Sequence, residues 1–217
     1  MTSTWYDFSH SYEDNMPEAI GHSPLKLNKM INKMTGSRIT DLTINSHSGT
    51  HLDAPYHYIE NGKTIDQFPV EFFVGLALVL NIPKGEFEQI TTSDLNDSKE
   101  LIKQSDFLFI RTGWEEKWGS PEYIWKYPFL APEVADFILE TKIRILGTDT
   151  ISPDPSTRSG LRRGSPIHLA LLSRNVLILE NLTNLREVTG KVIQVYCFPL
   201  ALKGIDGSPA RVIGRDL

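Results

Sequence analysis

Residues 45–58 read NSHSGTHLDAPYHY, a stretch that holds three of the six histidines of the 217-residue chain with one aspartate between them. A glycine at position 49 and a proline at position 55 disfavour a helix here. Glycine weakens helices, and proline pushes the preceding residue toward extended geometry. We therefore predict an extended or looped segment with a bend near Gly49.

The spacing of the polar residues in this segment is typical of a catalytic metal site. In extended backbone, side chains two residues apart point to the same side, so His51 and Asp53 can meet one cation, and His47 can fold over from beyond the bend. Two imidazole nitrogens and one carboxylate oxygen suit zinc, manganese or iron and leave positions for water and substrate. The alternative is a polar turn whose histidines satisfy hydrogen bonds or face solvent. The isolated His10 and His22 are interpreted as ordinary loop or surface residues.

A second pair of candidate ligands lies far downstream. His168 follows a proline in a short helix candidate, and Glu180 ends the apolar run VLILE. A buried, unpaired glutamate is costly, so a cation or a strong hydrogen-bond donor should lie close to Glu180. Taken alone, the pair is more simply interpreted as a helix histidine and a surface acid at a strand end.

Short apolar runs that alternate with helical patterns predict an α/β domain. The strand candidates are Leu76–Ile82, Phe107–Ile110, Ile143–Leu146, Val176–Leu179 and Val192–Phe198. Helices are predicted in APEVADFILETK with Pro132 at the first position, in SDLNDSKELIKQS, and in SPIHLALLS, where Ser165 can cap and Pro166 can begin the helix. This alternation indicates one domain over residues 1–217, with a sheet covered by helices.

The composition favours a globular protein that acts on small molecules. With 40% hydrophobic and 23% charged residues, a net charge of −5 and no long runs of like charge, the chain offers no footprint for nucleic acid. No apolar stretch approaches the roughly 20 residues of a transmembrane helix, and MTSTWYDFSHSYEDNMP lacks the pattern of a leader, so no membrane partner is expected. The single cysteine, Cys197, excludes an intramolecular disulfide and favours a cytoplasmic location.

The long loop SPDPSTRSGLRRGSP is a further candidate functional element, because long loops in compact domains often belong to sites. Its Arg158, Arg162 and Arg163 either contact an anionic substrate or a neighbouring subunit, or form a solvated basic loop. Four tryptophans are candidates for an aromatic substrate pocket, with core or interface packing as the alternative: Trp5, Trp114, Trp118 and Trp125. Trp114, which follows the RTG turn, is the most plausible of them.

The stretch HSGTHLDAPYH resembles the hallmark HxGTHxDxPxH of the cyclase family of metal-dependent hydrolases, which includes bacterial kynurenine formamidase and isatin hydrolase. The similarity continues through YDFSHSYEDNMP, LFIRTGW, ILGTDTISPD, HLALLSRNVLILENLTNL and FPLALKGIDGSPARVI. It implies an α/β domain on a curved, mixed, barrel-like β-sheet covered by helices, of the swivelling β/β/α type. It also implies a homodimer or homotetramer.

The resemblance implies roles for six residues. Five match metal-binding positions of the family: His47, His51, Asp53, His168 and Glu180. His57 matches the catalytic histidine. The isatin-hydrolase branch holds one manganese ion and the formamidase branch two zinc ions, so the presence of both downstream ligands favours two ions, with zinc preferred to manganese. Where formamidases carry PxWPGD, this chain reads MPEAIGHSP, which leaves the substrate open.

The expected reaction is hydrolysis of the C–N bond of an amide or cyclic amide by metal-activated water. An aryl formamide such as N-formylkynurenine, or an isatin-like imide or lactam, is the expected substrate, and His57 the general acid and base. The alternatives are a lactone hydrolase or cyclase, and a metal-containing protein that binds a small molecule without turnover. No GxSxG motif supports a serine hydrolase, and Cys197 is expected to be a buried hydrophobe.

Overall fold

The computed structural model describes residues 4–217 and contains twelve strands and three short α-helices in that range. The strands are β1 (Trp5–Asp7), β2 (Lys26–Ile31), β3 (Arg38–Thr43), β4 (His51–Asp53), β5 (Val74–Asn81), β6 (Gln89–Ile90), β7 (Phe107–Arg111), β8 (Phe129–Leu130), β9 (Ile145–Thr148), β10 (Leu177–Glu180), β11 (Val192–Pro199) and β12 (Gly207–Arg215). The helices are α1 (Lys99–Gln104), α2 (Pro132–Leu139) and α3 (Pro166–Leu172).

Seven strands close into a mixed barrel. Their order is β12, β11, β5, β7, β9, β10 and β4, and β4 pairs with β12 to complete the circle, while β1 pairs with the other side of β12. The pairs from β5 to β10 are parallel, and the pairs that involve β4, β11 or β12 are antiparallel. The curved, mixed, barrel-like sheet implied by the family resemblance is therefore confirmed.

Alternate residues of each barrel strand face two different apolar layers, as the period of two in a strand requires. Phe107, Phe109 and Val195 belong to the cluster inside the barrel, and Leu108 and Ile110 belong to the layer outside it. Strands buried on both faces read as continuous apolar runs. This is why all five predicted strand runs correspond to barrel strands, although β9 begins two residues later than predicted and includes Thr148.

The three helices cover one flank of the barrel, so the predicted cover is only partial. Ile102 of α1, Val134 of α2 and Leu171 of α3 pack on the outer faces of β5, β7, β9 and β10. Helix α2 begins at Pro132 as predicted, whereas SDLNDSKELIKQS forms a 3₁₀ stretch over Thr92–Ser98 before α1. No helix in residues 4–217 has the length and apolarity needed to cross a membrane.

The predicted capping role of Ser165 is wrong. Its side chain makes no capping hydrogen bond to α3. The backbone N–H groups of Ile167 and His168 instead donate to the two carboxylate oxygens of Asp154, at 3.0 and 3.1 Å. A carboxylate satisfies the unpaired N–H groups of a helix N-terminus more strongly than a hydroxyl does.

Strands β2 and β3 form a hairpin, called the arm below, which the sequence analysis did not predict. Its register pairs Lys26 with Thr43 and Ile31 with Arg38, and every residue of β3 is exposed. The arm is not part of the barrel sheet, because its strands pair only with each other. Its apolar residues are uncovered, with Met34 96% exposed and Ile31 65% exposed.

Candidate metal centre

Strand β4 places two of the proposed ligands at the barrel wall. His51 and Asp53 are its first and last residues, both nearly fully buried, and the extended conformation predicted for this segment is confirmed. The antiparallel register with β10 sets Glu180 directly opposite His51. The side chains of His51 and Glu180 therefore meet, with His51 Nε2 3.3 Å from Glu180 Oε2.

His47 approaches from the bend before β4. Gly49 has a φ of 58°, a left-handed conformation that favours glycine, and a Cβ there would lie 2.9 Å from Met16 Cε. A second glycine makes room on the other side, because a Cβ on Gly207 would lie 2.7 Å from Leu52 O and 3.0 Å from His47 Cε1. His47 Nδ1 consequently lies 2.6 Å from Asp53 Oδ1.

His168 enters the cluster from the first turn of α3. Its Nε2 lies 3.3 Å from Asp53 Oδ2 and 3.4 Å from Glu180 Oε1. Its Nδ1 lies 2.5 Å from Asp154 Oδ2, on the same carboxylate that caps the helix. Asp154 therefore fixes both the start of α3 and the direction in which the imidazole points.

The five residues that match family metal positions come together around Asp53. Two groups have potential ligand atoms within 4.8 Å of one another: His47, Asp53 and His57 form one, and His51, Asp53 and Glu180 form the other. Asp53 belongs to both groups, with Oδ1 facing His47 and His51, and Oδ2 facing His168. The two carboxylate oxygens of Asp53 therefore face different histidines.

The hydrogen bonds around the cluster leave one nitrogen of each imidazole directed at the carboxylates. His51 Nδ1 lies 2.8 Å from Gly49 O, His168 Nδ1 binds Asp154, and His47 Nε2 lies 2.9 Å from Asp206 Oδ2. An N–H donated to such an outer acceptor fixes the tautomer and leaves the other nitrogen free as a ligand, an arrangement typical of metal-binding histidines.

Unpartnered buried atoms provide the test of whether a metal fits. His51 Nε2, Asp53 Oδ2 and Glu180 Oε1 are buried and have no hydrogen-bond partner within the described part of the chain. Leaving such atoms unsatisfied is costly, and a divalent cation would satisfy all three. Two carboxylates and three imidazoles are also the donors that zinc and manganese accept, so the residues fit a divalent metal.

The carboxylates control the charge of the imidazoles in the absence of a cation. Burial alone would lower the pKa of His47 and His51, but the charge of Asp53 and of the other carboxylates that face the two rings raises it to about 9 and about 10, respectively. The pKa of His168 is also raised, because the hydrogen bond to Asp154 and the facing carboxylates of Asp53 and Glu180 outweigh burial. The carboxylates that raise these pKa values are the same groups that would hold a cation.

His57 lies at the edge of this cluster, at the end of a 3₁₀ turn over Pro55–His57. Its ring is 4.0 Å from the ring of His47, and its Nδ1 is 3.4 Å from Asp206 Oδ2. Hydrogen bonds to His47 and His57 lower the pKa of Asp206, which therefore stays ionised between the two rings. His57 is partly exposed, in contrast to the buried ligand candidates.

The cluster opens into a cavity of about 370 Å³, within the usual range for small-molecule sites. His47, His51, His57, His168 and Glu180 line one part of it, and Tyr58, Ile124, Tyr127 and Ile151 line its apolar and aromatic part. The segment MPEAIGHSP contributes Ala19, Ile20 and His22, and the long loop contributes Ser152, Ser156, Thr157 and Arg162. A small organic molecule can therefore reach the cluster.

Three site residues were missed by sequence reasoning. Asp206 contacts His47, which lies 159 residues earlier in the chain, and Asp154 contacts His168, 14 residues later. No spacing pattern connects either aspartate to the histidine stretch. His22 was interpreted as an ordinary loop residue, yet it lines the cavity. His10 stacks on Trp118 with ring centroids 3.7 Å apart, and burial lowers its pKa to about 4.

The tryptophans lie outside the cavity lining. Trp114 is buried, and its Nε1 donates to Tyr123 O at 3.0 Å, so it packs in a core cluster and does not line the pocket. Trp125 lies under Arg158, whose guanidinium is 3.5 Å from the ring centroid. Trp5 is 57% exposed on β1. Cys197 is buried in the barrel interior, as predicted.

A closed mixed barrel with a histidine and carboxylate cluster at the bottom of a cavity defines a metal-dependent hydrolase. The model of the family described as "Putative cyclase" matches residues 6–155, and the chain therefore belongs to the cyclase family. The chain is 28% identical to the kynurenine formamidase of Geobacillus thermodenitrificans and 30% identical to that of Bacillus thuringiensis. Each comparison covers 100% of this chain and at least 99% of the relative.

Solved structures share the fold. Isatin hydrolase A from Ralstonia solanacearum superposes with a TM-score of 0.88 over 99% of this chain and 92% of its own, at 20% identity. A potential metal-dependent hydrolase with cyclase activity superposes with a TM-score of 0.82 over 100% and 99% of the two chains, at 25% identity. The prediction of a metal-dependent amide hydrolase is confirmed at the level of the family.

Proposed function

We propose that this protein hydrolyses the C–N bond of a small aryl amide, with an aryl formamide such as N-formylkynurenine preferred to an isatin-like cyclic amide. The observation that carries the proposal is that three buried potential metal-ligand atoms without a hydrogen-bond partner, on His51, Asp53 and Glu180, converge at a cavity of small-molecule size. The end-to-end likeness to kynurenine formamidases supports the choice of a formamide.

The proposed metal ligands are His47, His51, Asp53, His168 and Glu180. We favour two zinc ions over one, because the two oxygens of Asp53 face different histidines, with His47 and His51 at one oxygen and His168 at the other. Manganese remains the alternative, since imidazole and carboxylate ligands suit both ions. A divalent cation held by these residues would act as a Lewis acid, activating water near neutral pH and polarising a carbonyl group.

His57 is the proposed general acid and base. It is the one histidine of the NSHSGTHLDAPYHY stretch that is not deeply buried, and it lines the cavity beside the proposed ligands. An imidazole there can accept a proton from the attacking water and donate a proton to the leaving nitrogen. Asp206 orients its Nδ1, which leaves Nε2 free to exchange that proton.

The aromatic part of the cavity supports an aryl substrate. Tyr58 and Tyr127 provide ring surface, while Ile124 and Ile151 exclude water from it. Ala19 and Ile20 belong to the segment in which this chain departs from the formamidase pattern. The residues that differ from the formamidase pattern would therefore contact the substrate. We expect this protein to prefer different aryl formamides from those that its relatives prefer.

The test is a hydrolysis assay of the zinc- or manganese-loaded protein against matched aryl formamides, cyclic imides and lactones. We expect the formamides to be cleaved with the largest kcat/KM. An Asp53→Ala variant, which lacks the shared carboxylate, should be inactive on all of them. Turnover of lactones alone would support a lactonase, and binding without turnover across the panel would support a small-molecule-binding protein.

We also propose that the protein is a homodimer, or a homotetramer built from such dimers, with a second copy covering the arm. An isolated two-stranded hairpin is marginal in water, yet the two six-residue strands of the arm pair with no strand of their own barrel. Leu42 of the arm lines a groove with Leu200 and Pro209. The apolar surface of the arm therefore continues onto the barrel at β12.

Charge favours a second copy as the occupant. Residues 26–43 carry Lys26, Lys29, Lys33 and Arg38 against Asp41, a net charge of +3. The whole chain carries −5, so the remainder carries −8 and attracts the arm of a neighbour. Leu42→Asp should shift the oligomer toward monomer in light scattering, and the matched Thr43→Asp variant should not. A monomeric wild-type protein at tens of micromolar would contradict the proposal.

Residues 1–217 are proposed to form one domain, because β1 near the beginning of the chain pairs with β12 near its end. The proposed location is the cytoplasm. It is supported by the single cysteine, Cys197, which remains a free thiol in the barrel interior.

A further inference from the structure

The long loop, residues 152–166, places one positively charged side chain in the lining of the cavity. Arg162 is the only lysine or arginine that lines the cavity within the described part of the chain. The other two arginines of the loop do not line it. Arg158 stacks on Trp125, and Arg163 is exposed, with its Nη1 donating to the backbone oxygens of Gly160 and Arg162.

Arg162 has no acidic partner. Across residues 4–217, no carboxylate lies within 4.0 Å of its guanidinium. Its Nη2 donates to Ser165 Oγ at 2.9 Å, and its Nη1 makes a long contact of 3.5 Å with Pro155 O. By contrast, buried Arg111 binds Glu115 at 2.7 Å. A guanidinium has five N–H donors, so Arg162 keeps donors and a full charge for another ligand.

The position of Arg162 is braced from the cavity wall. Ser165 Oγ, which accepts its hydrogen bond, also lies 2.9 Å from the hydroxyl of Tyr58. Tyr58 follows His57 directly and packs against His168, with ring centroids 4.8 Å apart. The guanidinium is therefore connected to the wall that carries the proposed metal ligands, and one small molecule can touch both.

We propose that Arg162 forms an anion subsite that binds a carboxylate of the substrate while the amide lies at the metal centre. An aryl formamide such as N-formylkynurenine carries a carboxylate of this kind on its side chain, and Arg162 is the residue that selects for it. A planar guanidinium pairs with a carboxylate through two parallel hydrogen bonds, and no protein carboxylate competes for it here. The inference rests on the proposed amide hydrolysis and adds the residue that binds the substrate carboxylate.

The kinetic test compares two substrates that differ only in charge. An aryl formamide with a carboxylate on its side chain is paired with its methyl ester. A charge-assisted hydrogen bond contributes about 1.5–3 kcal/mol, so Arg162→Gln should lower kcat/KM for the carboxylate substrate by roughly 10- to 100-fold, mostly through KM. The ester should change less than about twofold. Arg162→Lys should recover part of the loss, and Arg163→Gln should behave as wild type.

An equal loss on both substrates would show that Arg162 merely holds the loop, and would overturn the proposal. So would a wild-type enzyme that prefers the ester. A binding measurement keeps the test independent of turnover. Calorimetry with an aryl carboxylate should show binding to wild type and to Asp53→Ala, and weak binding to Arg162→Gln.

Loss of binding in Asp53→Ala alone would place the carboxylate at the metal and contradict the subsite. Formate that binds as tightly as the aryl carboxylate would identify a site for free anions and overturn the assignment to the substrate. If no amide is hydrolysed but the aryl carboxylate still requires Arg162, the amidase proposal fails while the subsite stands.

Discussion

Asp206 Oδ2 lies 3.4 Å from Nδ1 of His57. The same oxygen lies 2.9 Å from Nε2 of His47, which turns its other nitrogen to Asp53. One carboxylate therefore contacts both the proposed proton-transfer residue and a proposed metal ligand. Because Asp206 comes immediately before β12, the barrel strand that pairs with β4 also sets the relation between the two histidines.

Replacing His57 separates chemistry from metal binding. We expect His57→Ala to keep its metal content and to lower kcat on an amide by roughly 10² to 10⁴, with a smaller change in KM. Elemental analysis and steady-state kinetics measure the two effects. The loss should be smaller on an ester of the same acyl group, whose leaving alkoxide needs protonation less than an amine does.

His57 is also close enough to join His47 and Asp53 in a group of potential ligands. A His57→Ala protein that loses metal in parallel with activity would identify the residue as a ligand. The role as general acid and base would then be withdrawn, while the hydrolase assignment would remain.

Asp206→Asn should lower two measured quantities, metal affinity and kcat. The amide can accept one hydrogen bond but carries no charge, so we expect metal affinity to fall by about 10- to 100-fold, the usual result of losing a carboxylate that supports a ligand histidine. At saturating metal, kcat should still be reduced, because His57 loses its orienting partner. Exposed Asp66→Asn is the matched control. Full recovery of kcat at high metal concentration would show that Asp206 supports His47 but does not orient His57.

The sequence predicted the parts of the site that are local in the chain. Gly49 and Pro55 exclude a helix, and the period of two in extended backbone then places His51 and Asp53 on one side. Continuous apolar runs identified the barrel strands, since these are buried on both faces. Glu180 became a candidate because an acid that ends a buried run needs a partner, but only the family resemblance made it a proposed ligand. The structure places it beside His51 and His168.

The missed features depend on long-range packing. Asp206 meets His47 only because the barrel closes between β4 and β12, and no local pattern encodes that closure. Asp154 replaces Ser165 as the cap of α3 because the loop folds back over the helix N-terminus. The arm alternates apolar and polar residues on both faces, so its sequence lacks the one-sided pattern of a strand packed on a core.

The number of metal ions can be read from two variants. Asp53 faces both groups of potential ligands, so Asp53→Ala should lose all bound metal, whereas Glu180→Gln should retain about one ion per chain. Elemental analysis of zinc- and manganese-loaded protein measures this, with the exposed Glu187→Gln as control. A Glu180→Gln protein with full metal content and full activity would show that the preference for two ions is wrong.

Buried Asp149 provides a pH dependence away from the metal centre. Burial raises its pKa to about 6, although hydrogen bonds from Thr112 and Gly113 oppose the rise. Since the folded-state pKa lies above the ordinary aspartate value of 3.8, its contribution to stability is complete below pH 3.8 and is lost as the pH rises through about 6.

The stability of wild type relative to Asp149→Asn should therefore fall between pH 4 and pH 7, by on the order of 3 kcal/mol. Urea denaturation of metal-free protein at several pH values measures the difference, with the exposed Asp136→Asn as a control. A difference that stays constant across the range would contradict the raised pKa.

Asp154→Asn should weaken both a helix and the metal centre. The fully buried carboxylate accepts hydrogen bonds from Ile167 N, His168 N and His168 Nδ1, and an amide has only one oxygen to offer them. An unsatisfied buried donor costs about 1–3 kcal/mol, so the metal-free variant should unfold at lower urea. The disoriented imidazole should also lower metal affinity by about 10- to 100-fold.

In a His168→Ala background the same substitution should leave metal affinity unchanged, because the imidazole that Asp154 orients is absent. A loss of metal affinity of equal size in both backgrounds would mean that Asp154 acts on the centre through the loop and not through His168.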